Sequence, residues 1–119
     1  MAQQRNSVFK SVDLNNAGYA ERDCLSGAAN NVLGPSNARL AGYQQQIRGL
    51  NANIRRASDN AAGAAWESGL RSQIAGLEQA IAMERGAAES RMDSERQRCA
   101  AARANAATAI EKKYSPEKP

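Results

Sequence analysis

The chain has no histidine. The commonest general base and metal ligand is therefore missing, and neither a Ser-His-Asp nor a Cys-His arrangement can be drawn. With only two cysteines, a tetrahedral zinc site would be half empty. The glycines form neither GxxxxGK[ST] nor GxGxxG, so no phosphate cradle is indicated. These absences point to a non-enzyme with no cofactor and no metal. Large apolar residues are also scarce: Val, Leu, Ile and Phe number 16 of 119, and Phe9 and Trp66 are the only residues of their types. A thick globular core is excluded, and disorder becomes an alternative. No apolar run reaches the roughly 20 residues that span a bilayer, so no membrane span is expected. The stretch Met1–Asn6 has no hydrophobic signal region, which leaves open export by another route, a removed leader, or no export.

What is abundant is alanine, with 25 residues. It is the best helix former and buries little area per side chain, which favours helices packed closely through small residues. The net charge of +4 comes mainly from 12 arginines. That gives mild attraction to acidic partners but no nucleic-acid footprint by itself.

The apolar residues then show a simple numerical order. Ile54 with Leu70, Leu50 with Ile74, Ile47 with Leu77, Tyr43 with Ile81, Val32 with Met92 and Leu14 with Ile110 each add to 124. Cys24 with Cys99 adds to 123, and Glu21 with Arg103 to 124. A constant total means that one segment walks down while another walks up. Its midpoint falls in Ser58-Asp59-Asn60-Ala61-Ala62-Gly63, the best turn signal in the middle of the chain. Leu40, Tyr43, Ile47, Leu50 and Ile54 step by 3, 4, 3 and 4, and Leu70, Ile74, Leu77 and Ile81 by 4, 3 and 4, which is an a/d heptad seam.

The expected fold is all-α: a long antiparallel coiled-coil helical hairpin, kinked near Gly34-Pro35 and fastened by a disulfide. Residues 1–10 read as a polar N-terminal arm and 11–114 as the hairpin. Its first arm covers about 11–57, its turn 58–63 and its second arm about 64–114, and 115–119 form a C-terminal tail. Ser11 and Ser36 are candidate N-caps on either side of the Gly34-Pro35 break. The heptads falter near Met83–Gly86, where Glu84 approaches the seam either as a buried carboxylate of raised pKa or as a snorkelling side chain. Lys112 and Lys113 suit the negative end of the last helix, and Pro116 prevents its continuation. Glu67/Arg71, Arg85/Glu89 and Arg91/Glu95 are i,i+4 pairs expected on a solvated face.

The disulfide expectation rests on register. If Gly34-Pro35 reversed the chain instead, a three-helix bundle would place Cys24 level with residues near 74, far from Cys99. A Cys24–Cys99 bond implies an oxidising setting: a periplasm, an extracellular space or a virion surface. Two buried thiols in a seam are the competing reading.

Three groups are candidates for partner binding. Gly42/Gly49 and Gly69/Gly76 are each seven apart at equivalent positions of the two arms. They either admit another backbone or are tolerated drift, since each is costly in a helix. Arg48 and Arg55 share a face and either contact phosphate or are neutralised by glutamates of the other arm. Trp66 is either an anchor at the tip or a cap beneath the turn. Tyr19 and Tyr114 are further contacts near the open end. The leading expectation is a non-enzymatic structural subunit or adaptor of a bacterial or phage assembly, its partners being copies of itself or other subunits. The alternative is a dimeric basic helical nucleic-acid-binding protein, and a third reading is a chaperone or inhibitor that grips one partner with Trp66.

Overall fold

The computed structural model describes residues 2–59 and 63–115, with side chains from residue 6 onward. Two helices account for nearly all of it: α1, Ala2–Ser58, and α2, Gly63–Lys113. They run antiparallel, so the helical hairpin expected from the paired numbering is the fold. Residues 60–62 of the expected turn and residues 116–119 of the tail lie outside the described residues.

The chain divides into two compact units. The first combines Met1–Asn30 with Met92–Pro119, and the second is Asn31–Arg91. In the second unit, the shielded positions of α1 are Val32, Ser36, Leu40, Tyr43, Ile47, Leu50, Ile54 and Ala57, with spacings of 3 and 4. Those of α2 are Gly63, Glu67, Leu70, Ile74, Leu77, Ile81, Glu84 and Ala88. The steps 3 and 4 thus continue through Glu84 to Ala88, where apolar residues alone suggested a gap. Arg39 closes that gap by donating from Nε and Nη2 to Glu84 Oε1 at 2.9 and 2.7 Å.

Three features differ from the sequence reading. First, α1 starts at Ala2, so residues 2–10, expected as an arm, are helical. Their composition offers no helix breaker, and Lys10 donates to Glu111 of α2 at 2.7 Å. Ser11 therefore lies inside a helix and caps nothing. Second, α1 passes through Pro35 without interruption. Pro35 has no N–H to give the Asn31 carbonyl, a loss of about 3 kcal/mol in an isolated helix, so packing on both sides carries the helix across it. Ser36 is accordingly not an N-cap but a seam residue, 1% exposed, whose hydroxyl finds no hydrogen-bond partner of good geometry. Third, of the three expected i,i+4 pairs among the described residues, Arg71–Glu67 forms, at 2.8 Å. Arg96 and Arg98 instead pair at i,i+3 with Asp93 and Glu95.

The turn end of the second unit is held by close backbone approach. Asp59 N–H donates to the Arg56 carbonyl at 3.2 Å. A Cβ on Gly63 would lie 1.9 Å from the Ala57 carbonyl oxygen, and both residues are buried. No side chain fits at residue 63, which is why the tightest point of the hairpin is glycine.

In the first unit the shielded positions include Leu14, Ala17, Glu21, Cys24 and Ala28 on α1, Met92, Glu95, Cys99, Ala106 and Ile110 on α2, and Tyr114 just after α2. Cys24 and Cys99 are joined with Cα atoms 5.9 Å apart, inside the ordinary range for a disulfide. This register excludes the three-helix alternative. Arg103 passes over Gly18, whose absent Cβ would stand 3.4 Å from Nη2, and donates to Glu21 Oε1 at 2.8 Å. Tyr114 Oη donates to Asp13 Oδ2 at 2.7 Å, so Tyr114 is a strut between the helices rather than a free contact.

Candidate functional site

The second unit carries an internal repeat. Residues 42–54 read GYQQQIRGLNANI and residues 69–81 read GLRSQIAGLEQAI. Both follow the pattern G-apolar-x-x-Q-I-x-G-L-x-x-x-I. At 3.6 residues per turn, its apolar positions fall on the seam, and its glycines and glutamine fall together on one flank. Because the helices are antiparallel, the two copies of the pattern meet head to tail.

Their meeting forms a groove of about 550 Å³ lined by Gln46, Gly49 and Leu50 of α1 and Gln73, Gly76 and Leu77 of α2. The same three residues of the pattern come from each helix. Leu50 and Leu77 are half-buried and form the floor, while both glutamines and both glycines are exposed. Nothing lies within 4 Å of a Cβ built on Gly42, Gly49, Gly69 or Gly76. Within this chain, therefore, no steric reason selects glycine at these positions, although each is about 1 kcal/mol less favourable than alanine in a helix.

Between Arg39 and Arg56, which lie seven residues before Gln46 and seven after Gly49, the flank that bears the groove is uncharged. Its positions along α1 are Gly42, Gln46, Gly49 and Asn53, and along α2 Gly69, Gln73, Gly76 and Ala80. The opposite flank carries Arg48, Arg55, Arg71 and Glu78. Arg48 and Arg55 are exposed, and neither they nor Arg56 has a carboxylate within ion-pair distance among the described residues. The expected neutralisation by glutamates of the other arm is thus not seen. Trp66, 46% exposed near the start of α2, stands outside the seam.

Contacts between the helices shift the carboxyl groups of Glu84 and Asp13. The Arg39 guanidinium beside Glu84 holds its carboxyl below the usual carboxylate range, opposing the effect of burial and assisted by the Ser36 hydroxyl. A raised Glu84 pKa, one of the two sequence expectations, is therefore corrected: the arginine outweighs desolvation. The Tyr114 hydroxyl, with Lys113, lowers Asp13, and Asp13 in turn raises Tyr114. Each shift accompanies structural pairing. Among the described residues no cluster of three or more His, Cys, Asp or Glu side chains is placed to hold a metal, and no helix is long and apolar enough to cross a membrane.

Of the sequence-selected residues, the structure brings Gly49 and Gly76 into one groove and puts Gly42 and Gly69 on its flank. It places Arg48 and Arg55 on the opposite flank, and Cys24 and Cys99 in the other unit. Glycine spacing alone had missed Gln46 and Gln73, which become visible when residues 42–54 are laid over residues 69–81. Tyr19, a contact candidate from the sequence, is exposed on α1 together with Val8, Phe9 and Val12, with the Arg22 guanidinium 5.0 Å from the Tyr19 ring centroid. Val8, Val12 and Tyr19 share a face by their spacing of 4 and 7. Comparison of the chain with protein-family models, curated proteins and solved structures finds no match.

Proposed function

We propose that this chain is a non-enzymatic structural subunit or adaptor, joining a protein assembly through helix–helix packing outside the reducing cytoplasm. The observation that carries this reading is the uncharged, glycine-flanked groove over Leu50 and Leu77. A solvated helix face ordinarily carries charge and alanine, whereas this one is stripped of charge and keeps four glycines with open space above them. Close backbone approach by another helix is what glycine permits and larger residues prevent. The Cys24–Cys99 pair supports an oxidising setting such as a periplasm, an extracellular space or a virion surface. The test is the size of the native particle, with thiols blocked at lysis. Co-migration with a species well above the chain's 12.7 kDa, with Cys24 and Cys99 linked, is expected. Migration as a free single chain with two free thiols would refute it.

A second reading, a basic nucleic-acid-binding protein, is favoured by the unpaired Arg48 and Arg55. It predicts binding that weakens steeply with salt and is lost in Arg48→Gln/Arg55→Gln. Nothing aromatic stands between the two arginines to stack on bases, so the assembly reading is preferred.

A further inference from the structure

The groove of the Asn31–Arg91 unit is two-fold symmetric in its chemistry. Since the helices are antiparallel, an axis normal to the plane of the pair exchanges Gln46 with Gln73, Gly49 with Gly76 and Leu50 with Leu77. A single helix lying in such a groove would run in one direction and could match only one half of it. An identical hairpin turned face to face presents the same symmetric surface and matches both halves.

We propose that this unit pairs face to face with the same unit of a second copy, as a four-helix bundle, with Gly49 and Gly76 as the points of closest backbone approach. The inference rests on the assembly reading and names its first partner. Three properties of the face favour a copy of itself over another protein. A glutamine amide both donates and accepts, so Gln46 and Gln73 are complementary to their own kind, as an arginine or glutamate is not. Between Arg39 and Arg56 no charge on this flank would have to be desolvated, while Arg48, Arg55 and Glu78 stay in solvent on the other side. The uncharged positions Gly42–Asn53 and Gly69–Ala80 span about 18 Å along and about 20 Å across two helices, so a pair would bury on the order of 700 Å². That lies below the range of specific interfaces and suits a weak, reversible dimer.

The experiment is sedimentation equilibrium of the purified full chain, disulfide intact, from about 1 μM to about 1 mM, a range that covers weak pairing. A monomer–dimer equilibrium is expected. Gly49→Ala/Gly76→Ala should move two readouts in opposite directions: the thermal midpoint of the dilute monomer rises, while Kd for pairing weakens at least tenfold. Gln46→Glu/Gln73→Glu should abolish pairing at neutral pH with helicity retained, and Glu78→Gln on the opposite flank should leave Kd unchanged. A monomer at every concentration overturns the inference. So does a dimer indifferent to the glycine and glutamine changes, as expected of pairing through Val8 and Val12. If the purified chain is monomeric while the native protein still migrates in a larger particle, self-pairing fails and the assembly reading stands.

Discussion

Reducing the Cys24–Cys99 bond should remove a large part of the stability of the fold. The bond closes a loop with a sequence separation of 75, for which the chain-entropy estimate is about 4.5 kcal/mol at 25 °C. Around it the first unit buries little else: among its described residues, Ala28, Met92 and Cys99 are the buried apolar ones. A fully buried methionine contributes about 1.5–3 kcal/mol and an alanine less, so loop closure is comparable with the apolar burial of that unit. Domains of this size are stable by about 5–15 kcal/mol in total. The assay is urea denaturation followed by circular dichroism at 222 nm, with and without a phosphine reductant, at one protein concentration so that association does not intervene. We expect a loss of about 4–5 kcal/mol and a fall in Tm of roughly 15–20 °C. Hydrogen exchange should show earliest loss of protection in residues 1–30 and 92–115. A change below about 1 kcal/mol would refute the reasoning, because the ends would then be held together in the unfolded chain without the bond.

Gly63→Ala should destabilise the hairpin by about 2 kcal/mol, since the new Cβ would meet the Ala57 carbonyl oxygen at 1.9 Å. Urea denaturation checks it, and an unchanged midpoint would show that the start of α2 shifts freely. The lowered pKa values of Glu84 and Asp13 fix the sign of the acid response. Their contributions are present above the ordinary carboxylate pKa and are lost as pH falls through the lowered folded value. Thermal midpoints should therefore drop below about pH 4, less steeply in Glu84→Gln. At the alkaline side Tyr114 and Lys113 are raised, so their contribution holds below their ordinary values and fades as pH rises through the folded ones. An equal acid slope in wild type and Glu84→Gln would rule out the Arg39–Glu84 pair as a source.

Much of the architecture was legible because a two-helix hairpin leaves a one-dimensional record. Positions at equal distance from the turn must meet, so Ile54/Leu70, Ile47/Leu77 and Cys24/Cys99 declare the register by their numbers. Helical spacing then gives the buried face without knowledge of any contact. The same logic failed where the seam holds a residue whose type argues against burial. Glu84 and Ser36 broke the apolar pattern, and only Arg39 reaching across from α1 reveals why a carboxylate is tolerated there. Ser36 was misread as an N-cap after Pro35 because local propensity carries no information about the packing that holds α1 together around the proline.

By itself, then, the sequence indicated the helical class and an antiparallel pairing that brings the cysteines level, which follow from periodicity and distance along the chain, while the Cys24–Cys99 bond itself is read from the structure. The tertiary structure alone decided which flank each repeated residue occupies. Gln46, Gly49, Gln73 and Gly76 lie 3 and 27 positions apart in sequence, and they become one groove only when two helices of opposite direction are laid side by side. It also decided that Arg48 and Arg55 have no carboxylate within ion-pair distance among the described residues, because an ion pair depends on distances of a few ångströms that spacing along a helix does not specify.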